Sequence, residues 1–336
     1  MLLVPISVDF SRPPTAKERP KFESRLERLE RPGQRAAIDR VYESIGGKLP
    51  PAGLTLRTGF SFRDGIADSN ASDRKALPRE LRPPATRLMS SRGATLRFVL
   101  TLLSLVQTAR RPGAKARLVE FGFEVGGHRT ARGWADLIVT DATNSNRGGV
   151  YLTARDKRAR SVRNALIALA EAGLVDIPGA LSERNRFEKF VLLDERGVDA
   201  VGEQQEYRVP SKAESIFTMP GGFVANGWLH VLEDSEIAIL LMVACESGGW
   251  REPGLLVMDP KVRLQNYGIH RDVFSSARKT LDWFGLLRVE ERNRHDDGRA
   301  ENGEQQAHRL ALVPGGFDKP ALPTVVEALT GQLARR

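Results

Sequence analysis

Between Arg155 and Ile177 the chain carries two kinds of order at once. Basic side chains crowd its start, at Arg155, Lys157, Arg158, Arg160 and Arg163. Apolar residues then recur at helical spacing, Val162, Ala165, Leu166, Leu169 and Ala172, before Gly173 and the apolar Leu174, Val175 and Ile177. This spacing predicts a helix with a core-facing stripe and a basic face, stopped by glycine and followed by a strand. The pattern returns 112 positions later, in Val273 to Val289. Ala277, Leu281, Gly285 and Leu286 stand where Ala165, Leu169, Gly173 and Leu174 stood, and Phe274, Leu287 and Val289 match Val162, Val175 and Ile177 by type. The matches fall on core positions and on the helix stop, which predicts a duplicated module.

In chain order, Phe22, Leu26 and Leu29 mark an amphipathic helix over 21–31, broken by Pro32-Gly33, and Ile38, Val41, Tyr42 and Ile45 a second. Residues 54–62 suit a strand, and 63–93 read as a long loop or linker. Whether residues 1–90 order against the rest or form an arm is open. Leu96, Val99, Leu100, Leu103 and Val106 predict a strong helix. Residues 118–125 suit a strand or a short helix, 134–139 a second helix, and 144–149 a turn. After the basic helix, 174–177 and 187–193 read as hairpin arms. Helix, short helix, helix and hairpin is the order of a winged helix-turn-helix.

The polar stretch 194–215 reads as a linker. Beyond it, residues 216–219 suit a strand, 221–228 a helix start, and 236–245 a helix capped by Asp234 or Ser235. Asp259-Pro260 opens a short helix, and a further helix runs over 270–284. Residues 286–290 and 309–313 form hairpin arms around a polar loop, and 324–333 close the chain as a helix. The expected divisions are 1–90 extension, 91–200 first module, 201–316 second module and 317–336 tail. The fold class is α+β and mainly helical, with two winged helices in tandem.

Charge narrows the partner. With 51 Lys and Arg against 42 Asp and Glu, the net charge is +9, which favours a polyanion, most often nucleic acid. The single cysteine, Cys245, lies in an apolar run and predicts a buried thiol, as a reducing, cytoplasmic setting allows. The most apolar stretch, 96–106, is too short to span a bilayer, so no membrane partner is expected.

Both halves resemble winged-helix DNA-binding domains over roughly 91–316. Two unlike copies in one chain resemble the plasmid replication initiators of the tandem winged-helix type. The resemblance implies double-stranded DNA as partner, origin repeats as target, and a homodimer through the first module, where Ile167 is a candidate contact. Transcriptional regulation is the alternative role, and a protein-interaction scaffold is a third reading.

Helical spacing places the candidate DNA contacts. In the second copy Arg271, Ser275 and Arg278 share a face, with His270 before them and Lys279 beside them. Arginine pairs with guanine edges, and serine and lysine suit phosphates or bases. In the first copy Arg160, Arg163 and Asn164 lie near one face, while Arg155, Lys157 and Arg158 lie at or before the helix start, where phosphates bind. Arg271 and Arg278 are therefore expected to read bases, and Arg155, Lys157 and Arg158 to position the backbone. Arg292, Arg294 and Arg299 in the second hairpin loop are wing candidates. Catalysis is not expected. The five histidines show no metal-ligand spacing, and neither a Walker loop nor a dinucleotide fingerprint is present, so no cofactor or metal is implied.

Overall fold

The computed structural model describes residues 6–7, 10–49, 53–64, 77–89, 94–127, 131–140, 142–147, 150–180, 182–183, 185–197, 204–247, 256–291 and 309–335. The chain opens with the short strand β1 (Ile6–Ser7) and the helices α1 (Arg19–Leu29) and α2 (Gln34–Ser44). Phe22, Arg25 and Leu29 give α1 one buried stripe, and Ile38 and Val41 do the same for α2. Strand β2 (Leu54–Arg57) follows. The extension is not a detached arm, because each of these elements packs on a later part of the chain.

Helices α3 (Pro84–Met89) and α4 (Thr95–Ala109) follow. Helix α4 is apolar on nearly every side and correspondingly buried. Its polar Thr101 and Ser104 donate to the carbonyls of Arg97 and Leu100, at 2.7 and 2.8 Å, so they enter the core satisfied. Residues 118–121 and 134–137 are single 3-10 turns, shorter than the helix expected over 134–139. The expected turn at 144–149 widens into a hairpin of β3 (Ser145–Arg147) and β4 (Val150–Leu152). Then come α5 (Ala154–Glu171), β5 (Val175–Asp176) and β6 (Val191–Leu192).

Part of the region expected as a linker, residues 205–209, takes part in backbone pairing. The amide of Tyr207 donates to Leu192 O at 2.8 Å, Ala116 N donates to Tyr207 O at 3.0 Å, and Val209 N donates to Ala114 O at 2.9 Å. Residues 207–209 thus pair with residues 114–116 and with β6. Tyr207 is fully buried, and its hydroxyl accepts from Gln107 of α4, whose side-chain amide also bonds both ways to the Thr55 backbone of β2.

Strand β7 (Ile216–Met219) pairs antiparallel with β2, Leu54 opposite Met219. Two short helices, α6 (Gly222–Ala225) and α7 (Trp228–Val231), replace the single helix start expected at 221–228. They lead to α8 (Asp234–Ser247), β8 (Leu256–Val257) and α9 (Pro260–Gln265). Asp259 caps α9 by accepting from the amides of Lys261 and Val262 at 2.7 and 3.2 Å. Helix α10 (Arg271–Trp283), β9 (Leu287–Glu291) and β10 (Arg309–Leu312) follow. The antiparallel sheet has the order β1-β9-β10-β8, so β1 adds an outer strand beside β9. Helix α11 (Ala321–Leu333) packs on α1 and α7 and buries Ala321, Val325 and Leu329.

The two units separated by 112 positions share their backbone scheme. After α5 Gly173 adopts φ 71°, and after α10 Gly285 adopts φ 70°, the left-handed conformation that glycine takes without a Cβ penalty. Leu174 N donates to Leu169 O at 2.9 Å, and Leu286 N to Leu281 O at 3.0 Å. The hairpins then close alike: Leu193 N donates to Leu174 O at 2.9 Å, and Val313 N to Leu286 O at 3.0 Å. Leu169, Leu174, Leu281 and Leu286 are all fully buried. The fold is α+β and mainly helical.

Candidate nucleic-acid interface

The start of α5 is sealed by the chain itself. Thr153 and Asp156 form a reciprocal capping box, with Thr153 Oγ1 accepting from Asp156 N at 3.1 Å and Asp156 accepting from Thr153 N at 2.9 Å. Asn144 Oδ1 accepts from Ala154 N at 2.8 Å, and Lys157 Nζ donates to Thr143 O at 2.6 Å. The residues just before β3 therefore hold this end.

Arg155 and Arg158 lie inside the first two turns of α5, as the expected place at the helix start implied for Arg155, and point inward. Arg155 donates to Gly126 O at 2.6 Å and to Asp136 Oδ2 at 3.0 Å, while Arg158 donates to Ala135 O at 3.2 Å. Arg40 of α2 approaches the same Asp136 at 3.9 Å. Asp136, positioned by the 3-10 turn at 134–137, thus gathers three guanidinium groups and ties α2 to α5. Burial lowers the Arg158 pKa, and the neighbouring Arg40 lowers it further, with Asp136 opposing.

The outer face of α5 is open. Arg160, Arg163, Asn164 and Ile167 are exposed along successive turns, opposite the buried Val162, Ala165 and Leu169. Lys157 sits half-buried at the edge of this row. Ile167 is 39% exposed, whereas its neighbour Leu166 is fully buried, so Ile167 belongs to the surface and not to the core. On β4 Tyr151 is 61% exposed just before the helix. It was missed from sequence because the residues around it read only as a turn; the signal was an aromatic residue directly preceding a basic helix.

Helix α10 presents a divided face. His270, Arg271, Ser275 and Ser276 are exposed on its first half. Arg278 and Lys279, expected on the same exposed surface, are half-buried by the N-terminal segment. The Arg278 guanidinium lies 5.8 Å from the Phe10 ring centroid and 5.3 Å from that of Phe274. Lys279 Nζ lies 3.3 Å from Glu18 Oε1 and 5.0 Å from the Trp283 ring centroid. Arg263 of α9 stacks on Phe274 as well, at 4.8 Å, and burial lowers its pKa. Arg292, Arg294 and Arg299 lie outside the described residues.

Among the described residues, no three His, Cys, Asp or Glu side chains gather as a metal set, and no helix is long and apolar enough to cross a membrane. Comparison of the chain with protein-family models, curated proteins and solved structures finds no match in any of the three.

Proposed function

We propose that the chain binds double-stranded DNA sequence-specifically through two winged-helix modules. The topology of the second unit supports this most directly. Its order is helix α8, strand β8, helix α9, helix α10, then strands β9 and β10, closed as a sheet in which β10 lies between β8 and β9. A winged helix is built this way, and its third helix supplies the side chains for the major groove. The first unit repeats the third helix, its glycine stop and the hairpin closure. Its outer face carries Arg160, Arg163 and Asn164, side chains suited to guanine, phosphate and adenine contacts. The net charge of +9 supplies attraction to phosphates.

Selection of bound duplexes from a random pool, followed by binding isotherms at several salt concentrations, tests the reading. Enrichment of one motif, with affinity falling as salt rises, is expected. Equal binding to selected and scrambled duplexes, or none at low salt, overturns it. The leading biological role is replication initiation at origin repeats, with transcriptional regulation as the alternative. Maintenance of a plasmid bearing tandem copies of the selected motif, dependent on this protein, separates them.

A further inference from the structure

We propose that residues 10–18 are an internal occupant of the outer face of α10, which duplex DNA displaces. The proposal rests on the DNA-binding reading of α10 above. After β1 joins the β9 edge, the chain crosses the C-terminal half of α10. Phe10 lies against Arg278, and the Phe10 carbonyl accepts from Trp283 Nε1 at 2.9 Å. At the far end Glu18 engages Lys279. Each contact supplies what a nucleic acid supplies: a flat ring for a guanidinium and an anionic oxygen for an ammonium.

The segment is lightly held between firm anchors. Ser11–Pro13 and Thr15–Lys17 are exposed, and only Pro14 is buried within the crossing. The Glu18–Lys279 pair is long, at 3.3 and 3.5 Å, and partly solvated, a class of ion pair that contributes little and weakens with salt. Ser11 O accepts from Arg335, an exposed contact. Burial opposes ionisation of Glu18, but the Thr15 amide and hydroxyl and the nearby Lys279 hold its pKa below the usual value, so it stays anionic. Beyond the crossing α1 is fixed firmly: Arg25 donates to both carboxylate oxygens of Glu236 at 2.7 and 2.8 Å, buried, and Phe22 meets Trp283 edge-on at 5.4 Å. The Glu18 backbone belongs to the start of α1, its carbonyl accepting from Phe22 N at 3.2 Å, so it is residues 10–14 and the Glu18 side chain that can leave α10 while α1 stays. Among the described residues no such occupant covers this part of α5: Ile167, which corresponds to Lys279 in the repeat, is exposed.

The test uses the full chain, the selected duplex and a scrambled one, with Glu18→Gln and Phe10→Ala. Both substitutions are expected to raise affinity several-fold at low salt. Glu18→Gln should steepen the log–log salt dependence by about one unit, because Lys279 is freed for a phosphate. The Glu18→Gln gain should vanish in a Lys279→Ala background. Hydrogen exchange of residues 10–12 should quicken on DNA addition while α1 stays protected. Binding by the variants alone would also support the proposal. Wild-type binding with unchanged affinity and slope in both variants overturns the internal occupant and leaves DNA binding standing. Absence of binding by wild type and variants alike overturns both readings.

Discussion

The α5 and α10 units solve the same core problem and meet the surface differently. Both bury a leucine at the helix end and at the following strand, and both turn through a left-handed glycine. Helix α5 has 18 residues against 13 for α10, and its extra length lies at the N-terminus. That added turn carries Arg155 and Arg158 into contact with Asp136, leaving the middle of α5 as its open basic surface. In α10 the start is open, and the second half is covered by residues near the N-terminus. The two units therefore match at the positions that pack, while their outward positions take different partners.

The extension clamps the two units through separate buried ion pairs. Arg25 holds Glu236 beside α10, and Arg57 holds Glu195 at 2.7 Å beyond β6 of the α5 unit. Removing one partner leaves a buried charge uncompensated, at a cost of about 3–5 kcal/mol. Arg25→Ala and Arg57→Ala should each lower stability by about this much in urea unfolding. Hydrogen exchange should then quicken in α1 and α10 for the first, and in β2 and β6 for the second. Loosening of the same elements by both variants would show that the clamps are not separate.

The Arg57 clamp is also expected to respond to pH. Burial pushes the Glu195 carboxyl up to about 7, although Arg57 pulls it back and Asp194 reinforces the rise. Arg196, Glu214 and Tyr207 complete the surrounding polar set. An unfolded glutamate titrates near about 4.3, so the folded state holds the extra proton between the two values. The contribution is fully present below about pH 4.3 and is lost as pH rises through 7, on the order of 3–4 kcal/mol. Denaturation midpoints across this range should therefore decline less in Glu195→Gln than in wild type. Parallel pH profiles would refute the assignment.

The shared glycine stop carries a smaller effect. Alanine at φ near 70° costs about 1–2 kcal/mol, because its Cβ crowds the following carbonyl. Gly173→Ala and Gly285→Ala should destabilise by similar amounts, measured by urea unfolding. A neutral result at one site would mean that the two stops are not equivalent.

How much of this was readable beforehand depends on the range of each interaction. The limits of α10 were legible to within a residue, because its apolar period, its start near His270 and the Gly285 stop are local. The same holds for the start of α9 at Asp259-Pro260. Pairing of β2 with β7 and of β1 with β9 was not legible, since nothing in a short strand names a partner hundreds of residues away. Tyr207 and Val209 were hidden because their strand pairing lies in an otherwise polar stretch. Charged side chains misled for a related reason. Helical spacing puts Arg155 on a face but does not say that Asp136 lies opposite it, and it puts Lys279 outward without revealing Glu18.

The smallest predicted effect separates inward from outward arginines on one helix. Arg160 is exposed on the open face of α5, while Arg155, five residues earlier, donates to two backbone carbonyls and Asp136. A guanidinium that meets a phosphate releases condensed counterions, so its loss lowers the salt slope by about one unit, equivalent to roughly a three- to fourfold difference in affinity change between 50 and 200 mM salt. Arg160→Ala should show this loss on selected and scrambled duplexes alike, because phosphate contacts position without reading sequence. Arg155→Ala should leave the slope unchanged and instead lower the unfolding midpoint, because Asp136 loses a close partner. If the salt slope falls for Arg155→Ala and not for Arg160→Ala, then the N-terminal turn of α5, rather than its middle, faces the nucleic acid, and the contrast with the covered face of α10 must be redrawn.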